Sequence, residues 1–177
     1  MGFDNVAVLD GGLPDWLAKE YPISTSFSKA KKVGDFEACY NPETFTNQND
    51  VLAQLDNKPS LILDARGKAR FLGEGVEPRA GMRAGHIPNA KSLPYSDIVK
   101  NGFMLDKDTL QTEFNKRLVA NADKLIFSCG SGVTACILAL GAHILGYENL
   151  AVYDGSWSEW GASSKLPIEV GEGSGIK

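Results

Sequence analysis

Apolar positions along the chain fall into two kinds of run. Leu61-Ile62-Leu63-Asp64 and Leu125-Ile126-Phe127-Ser128 are continuous apolar stretches closed by a polar residue. Such runs mark strands buried on both faces of a parallel sheet. Leu150 to Tyr153 reads as the last strand. Lys91 to Leu93 reads as a short one after the turn Gly85-His86-Ile87-Pro88-Asn89-Ala90, and Phe36 to Tyr40 as another. Between them the pattern turns helical. Asn49 to Leu55 is amphipathic, with Asn49 or Asp50 placed to cap it, and Asp108 can cap a helix running to about Val119. Val133 to Leu145 is apolar nearly all round, which predicts a helix packed on the sheet with little exposure. Gly67 to Gly85 is charged and irregular, long enough to carry function. Strands alternating with helices predict an α/β domain: a parallel sheet of about five strands with helices on both faces. Reactive loops in such sheets lie at the carboxyl ends of the strands. Two stretches fall at such ends, Asp64-Ala65-Arg66 and the residues after Ser128.

The second of these carries the chemistry. The strand-like run ends in Cys129, and Gly130-Ser131-Gly132-Val133-Thr134 leads into the apolar helix. A strand–loop–helix turn aims several backbone N–H groups into one concavity, backed by the positive end of the helix dipole. That cradle stabilises an anion, so a cysteine at its lip should react as a thiolate. The glycines suit a backbone that bends sharply and comes close to a ligand. An isolated cysteine in an apolar run is most often simply buried; the glycine-rich turn reverses that expectation. Cys136, on the following helix, reads as a small buried apolar residue, and Cys39 carries no signal. Three cysteines without close pairing argue against a disulfide framework, and no spacing suggests a metal site.

Composition narrows the class. The chain has 177 residues, 43% hydrophobic and 23% charged, with net charge -4. That suits one compact domain with extra chain. The acidic balance and the absence of a basic run argue against nucleic acid, and no apolar stretch is long enough to cross a membrane. The extra chain has a character of its own. Asn5-Val6-Ala7-Val8-Leu9-Asp10-Gly11-Gly12 through Trp16 echoes Asn149-Leu150-Ala151-Val152-Tyr153-Asp154-Gly155-Ser156 through Trp160. Self-similarity at domain spacing suggests a tandem repeat. Residues 1–20 are therefore expected to be the tail of a preceding domain. Residues 21–34 follow as a lysine-containing linker, 35–170 as the main domain and 171–177 as a disordered tail.

Four stretches together resemble the rhodanese family of sulfurtransferases: Cys129 to Ala135, Asp64 to Arg66, Gly85 to Pro88, and Asp154 to Trp160. The resemblance covers roughly Asp35 to Val170 and is nearest the C-terminal catalytic domain of the tandem mercaptopyruvate sulfurtransferases. It implies a rhodanese-like fold and a ping-pong reaction without cofactors. Cys129 takes a sulfane sulfur from a donor as a persulfide and passes it to a thiol, to cyanide or to a thioredoxin-like reductant. The Gly130 to Thr134 cradle would hold the anionic outer sulfur. Ser131 resembles the family's loop serine that assists donor activation; its bland alternative is to cap the next helix. The preceding domain would contribute to the cleft. The expected compartment is the cytoplasm.

The donor can be argued from charge. Thiosulfate is a compact dianion, and its transferases carry basic loop residues, whereas Gly130 and Ser131 are neutral. Mercaptopyruvate needs a carboxylate clamp, and arginine suits a bidentate contact. The segment Arg70 to Arg79 matches the mercaptopyruvate branch's pair of substrate arginines. Arg66 and Arg83 read as structural or solvated. His86 tempts as a base, but the resemblance makes its segment structural; His143 reads as a core or edge histidine. Glu159, Trp157 and Trp160 read as packing and ion-pair residues. Three other readings compete: a thiosulfate:cyanide sulfurtransferase, a non-catalytic rhodanese module, and a cysteine-loop phosphatase. The last needs arginine six residues after the cysteine, where Ala135 stands.

Overall fold

The computed structural model describes residues 2–3, 5–27, 29, 32–55, 60–117 and 122–172. Five strands form one parallel sheet: β1 (Phe45–Thr46), β2 (Ser60–Asp64), β3 (Lys91–Ser92), β6 (Lys124–Ser128) and β7 (Leu150–Tyr153). Their spatial order is β1-β7-β6-β2-β3, so β6 is central. β2 and β6 run in register from Ser60 opposite Lys124 to Asp64 opposite Ser128. A two-stranded antiparallel hairpin, β4 (Val99–Lys100) and β5 (Phe103–Met104), lies apart from the sheet.

Period-2 alternation of strand side chains sends apolar groups to both faces. Leu61, Leu63, Leu125 and Phe127 pack on α4 (Lys107–Asn115) and α5 (Ala135–Ile144), chiefly through Leu110, Phe114 and Leu138. Ile62 and Ile126 face the other way. There they meet Val51 of α2 (Gln48–Gln54), Phe71 of α3 (Lys68–Leu72), and Trp157 and Trp160 of α6 (Ser156–Trp160). The expected sheet with helices on both faces is thus present. Gly141 lets α5 approach closely: a Cβ there would lie 3.3 Å from Ile98 and 3.4 Å from Phe114.

Several local expectations are corrected. Helix α2 is capped by Asn47, not by Asn49 or Asp50. Its side chain accepts the N–H groups of Asn49 and Asp50, and Asp50 returns the bond to complete a capping box. Asp106, not Asp108, caps α4 by accepting the Thr109 N–H at 3.0 Å, and that bond holds the Asp106 carboxyl below its ordinary pKa. The expected end of α4 at Val119 lies outside the described residues. Phe36 to Tyr40 finds no strand partner, and Phe45–Thr46 pairs with β7 instead. Helix α5 leaves Cys136, His143 and Ile144 exposed, because its apolar residues outnumber the positions the sheet can cover. Neither Cys136 nor His143 is therefore a core residue.

The N-terminal stretch also departs from its pattern. Val6, Val8 and Leu9 are exposed and form no strand, since no sheet edge receives them. Helix α1 (Gly12–Ala18) does form. The segment leans on the hairpin: Asp10 Oδ1 accepts the Met104 N–H at 3.0 Å, and Gly11 lies against the Phe103 ring. At the other end, Gly171 is not loose. Its N–H donates to the Leu72 carbonyl at 2.8 Å, and Glu172 pairs with Lys68 at 2.8 Å. Residues 173–177 of the expected disordered tail lie outside the described residues. No helix among the described residues is long and apolar enough to cross a membrane.

Candidate active site

Cys129 follows the central strand and is 2% exposed. Burial pushes its thiol pKa up. The Thr134 hydroxyl and the N–H groups of Ser131, Ala135 and Thr134 outweigh burial, and the net pKa lies below the ordinary thiol value. These donors converge because the chain turns tightly between β6 and α5. Gly132 makes the turn at φ +80, where a Cβ would also lie 2.8 Å from both the carbonyl and Oδ1 of Asp154. The Gly132 N–H does not point at the sulfur. It donates to Ser156 Oγ at 3.1 Å, as does the Cys129 N–H at 3.0 Å. Ser156 in turn donates to the Tyr153 carbonyl at 2.7 Å. Helix α6 closes the back: Trp157 N–H donates to the Cys129 carbonyl and Ser158 N–H to the Gly130 carbonyl, both at 2.9 Å.

Above the loop lies a cavity of about 130 Å³ whose wall includes Arg70, Arg79, Gly130, Ser131, Trp157 and Ser158. Cys129 immediately precedes Gly130 of that wall in the chain. Six of the eight expected site residues thus fall at this cavity or on the sulfur: Cys129, Ser131, Arg70, Arg79, Gly130 and Thr134. Val133 is on the loop but turned outward, 72% exposed, and Gly132 is committed to Ser156. Ser131 is exposed, and helix α5 begins after Thr134, so the helix-cap alternative for Ser131 is not taken up.

The arginines divide into two kinds. Arg66 is buried. It donates to both Asp64 oxygens, to Glu77 at 3.0 Å and to the Gly85 carbonyl at 2.8 Å, with its guanidinium 4.3 Å from the Trp157 ring centroid. Arg83 donates to the carbonyls of Gly161, Leu166 and Trp160. Both are structural. Arg70, on α3, pairs with Glu77 at 2.6 Å and keeps the rest of its guanidinium toward Gly130. Arg79 is exposed at the same cavity.

His86 does not line the cavity. It is buried and stacked on Phe71 at 3.7 Å, and its Nδ1 lies 2.7 Å from the Phe71 carbonyl. A carbonyl only accepts, so Nδ1 carries the proton and the ring braces α3. Trp157 and Trp160 are buried and donate to the carbonyls of Arg83 and Pro167. Glu159 accepts a hydrogen bond from Tyr153 at 2.6 Å and forms no ion pair among the described residues. Burial, helped by that bond, raises the Tyr153 pKa. Ser156 and Glu77 escaped the sequence reading. A serine after the Asp-Gly turn and a glutamate between Arg70 and Arg79 are the available signals. Among the described residues, no cluster of three or more His, Cys, Asp or Glu side chains is arranged to hold a metal.

A family described as rhodanese-like domain matches residues 47–163. The chain is 39% identical over 168 residues to the 3-mercaptopyruvate sulfurtransferase of Escherichia coli K12, covering 95% of this chain and 59% of that protein. It is 36% identical to the mitochondrial thiosulfate/3-mercaptopyruvate sulfurtransferase 1 of Arabidopsis thaliana, covering 98% of this chain and 51% of that one. The chain therefore spans between half and three-fifths of these relatives' length. Among solved structures, a variant of EanB in complex with ergothioneine superposes with a TM-score of 0.83 at 23% identity. The match covers 96% of this chain and 42% of that one, a likeness of fold.

Proposed function

The chain belongs to the rhodanese-like domain family, and from that premise we propose that it moves a sulfane sulfur from 3-mercaptopyruvate to a thiol or cyanide through a persulfide on Cys129. The observation that carries this reading is Cys129, its thiol pKa lowered by converging donors, next in the chain to the Gly130–Ser131 wall of a cavity that also holds two arginines. Arg70 and Arg79 receive the donor's carboxylate, and Ser131, at the mouth, assists the ketone side. The Cys129 thiolate attacks the donor sulfur. The donor's C–S bond breaks with its electron pair left on carbon, and the resulting pyruvate enolate takes up a proton. The N–H groups of Ser131, Thr134 and Ala135 stabilise the anionic persulfide. An acceptor thiolate, including that of a thioredoxin-like protein, then attacks the outer sulfur and leaves with it; cyanide leaves as thiocyanate. Cys129 departs as thiolate, and the cycle closes without a cofactor.

Thiosulfate is the second donor to test, because the Arabidopsis relative's name includes it. The neutral Gly130–Ser131 wall favours the keto acid. We also assign residues 1–20 to the end of a preceding rhodanese domain and 35–170 to the catalytic one, in keeping with the sequence echo and the exposed Val6, Val8 and Leu9. The assigned compartment is the reducing cytoplasm, in which a reactive thiol such as Cys129 stays unpaired.

The experiment is a donor comparison, with mercaptopyruvate and thiosulfate offered to the chain and to Cys129→Ser, Cys136→Ala and Cys39→Ala. The expected result is faster transfer from mercaptopyruvate, with persulfide mass on every protein except Cys129→Ser. Persulfide on Cys129→Ser would sink the assignment. Turnover of an aryl phosphate would favour the phosphatase reading, although Ala135, buried against the cysteine loop, offers no guanidinium to grip phosphate.

A further inference from the structure

Glu77 lies between two guanidinium groups. Its side chain is 7% exposed, and its Oε1 accepts from Arg66 Nη1 at 3.0 Å. Toward Arg70 it uses both oxygens: Oε1 accepts from Nε at 3.3 Å, and Oε2 from Nη2 at 2.6 Å. A guanidinium has two edges that can each meet a carboxylate in bidentate fashion. The Nε/Nη2 edge of Arg70 is taken by Glu77. The Nη1/Nη2 edge is turned to the cysteine loop, where a Cβ on Gly130 would lie 3.5 Å from Nη2 and 3.7 Å from Nη1. We propose that Glu77 is the positioning residue for Arg70. It grips one edge of the guanidinium so that the other is presented, already oriented, to the carboxylate of a monoanionic donor. This rests on the reading that Arg70 receives that carboxylate.

Two physical arguments carry it. The first is preorganisation. An arginine on a short helix has many rotamers, and ordering it at the moment of binding costs affinity. Glu77 is itself anchored, through Arg66, to the buried Asp64 at the end of β2, with Arg66 further held over Trp157. The grip on Arg70 is therefore continuous with the core. The second is charge. Apart from the Cys129 sulfur, Asp64, Arg66, Glu77, Arg70 and Arg79 together leave one net positive charge near the cavity. That matches one carboxylate better than a dianion. Were Glu77 neutral, the excess would be two positive charges, and the site would move toward thiosulfate.

Donor selectivity therefore reads the role of Glu77, whereas a merely structural loss would lower both activities alike. For Glu77→Gln, we expect the KM for mercaptopyruvate to rise about tenfold, in line with a weakened charge-assisted contact. The KM for thiosulfate should stay level or fall, so that the ratio of kcat/KM values shifts toward thiosulfate. Glu77→Asp keeps the charge and should hold that ratio close to the unmodified protein's while raising the mercaptopyruvate KM. Equal losses for both donors would overturn the proposal, as would unchanged kinetics. Should Glu77→Gln not fold, Glu77→Asp is read alone: a rise confined to the mercaptopyruvate KM supports the grip, and a parallel loss overturns it. Failure of both variants to fold would also overturn it, since Glu77 would then act through stability. An NMR measurement is independent of turnover. The Arg70 Nε–H should exchange slowly with water and lose that protection in whichever variant folds. Fast exchange in the unmodified chain would overturn the proposal even if neither donor reacts, an outcome that would separately refute the sulfurtransferase reading.

Discussion

Ser156 shows how much one side chain can hold together at this site. Its hydroxyl accepts the N–H groups of Cys129 and Gly132 and donates to Tyr153, while its own backbone sits at φ +48. The echoed position in the N-terminal segment is Gly12, at φ +55. Glycine tolerates that conformation freely and serine does not, so the hydroxyl offsets a backbone cost that the glycine avoids. Ser156→Ala should leave two buried N–H groups without a partner. The expected loss is about 2–4 kcal/mol of unfolding free energy, at roughly 1–2 kcal/mol per orphaned group, checked by urea denaturation. A loss within measurement error would mean that water replaces the hydroxyl. Thr134 makes the complementary prediction. Its hydroxyl bonds the Cys129 sulfur and lowers the thiol pKa against the opposing effect of burial. Thr134→Val removes a donor to the thiolate, so the Cys129 pKa should move up. The pH midpoint for alkylation by iodoacetamide should then shift to higher pH, with slower reaction at neutral pH. An unchanged midpoint would place the stabilisation wholly in the backbone. Stability follows the same sign. A thiol whose folded pKa is depressed adds stability above its unfolded pKa and loses it as pH falls through the folded value. Thr134→Val should narrow that window.

At the level of elements, the central strands and the cysteine loop were legible in advance because their apolar runs are continuous and glycine marks the turn. The observed caps differ from the expected ones for a shared reason. Asn47 and Asp106 lie two or three residues before the expected positions, and their side chains reach N–H groups two or three residues on. A string such as Asn47-Gln48-Asn49-Asp50 offers several competent caps, and backbone geometry selects among them. Helix α5 departs from its pattern for another reason: apolar composition says a helix can be buried, not how much of it the sheet can cover. Leu138 and Ala142 are covered, whereas Cys136 and Ile144 are not. Helix α4 docks beside it through Leu110 and Phe114, both fully buried. Phe114→Ala should cost about 3–5 kcal/mol through lost burial and the cavity left behind. Thermal unfolding checks this, and a Tm within a degree of the parent's would show that neighbours collapse into the gap.

At the scale of the whole molecule, the functional groups come from distant parts of the chain. Asp64 ends β2 and Arg66 follows it, Arg70 and Glu77 lie on and after α3, and Cys129 follows β6. Ser156 arrives with α6. The sequence echo made the N-terminal segment recognisable as a strand and helix, but a strand pattern forms a strand only where an edge receives it. Val6 to Leu9 has none among the described residues, while α1 closes its own hydrogen bonds and forms. The order of the sheet carries a further consequence, for synthesis. Phe45 of β1, the first strand of the sheet to leave the ribosome, pairs with Val152 of β7, the last. In between, β6 must enter the gap beside β2. Long-range parallel pairing of this kind is slow and leaves edges open while it waits. A chain ending at Asn149 should therefore show no cooperative thermal transition and no selectively reactive Cys129, as measured by calorimetry and alkylation. A sharp transition in that chain would mean the sheet closes without its last strand. For the intact protein, nearly the whole domain must clear the exit tunnel before the thiolate acquires its cradle. The nascent chain should thus carry an unactivated cysteine until α6 and Ser156 arrive to hold its loop.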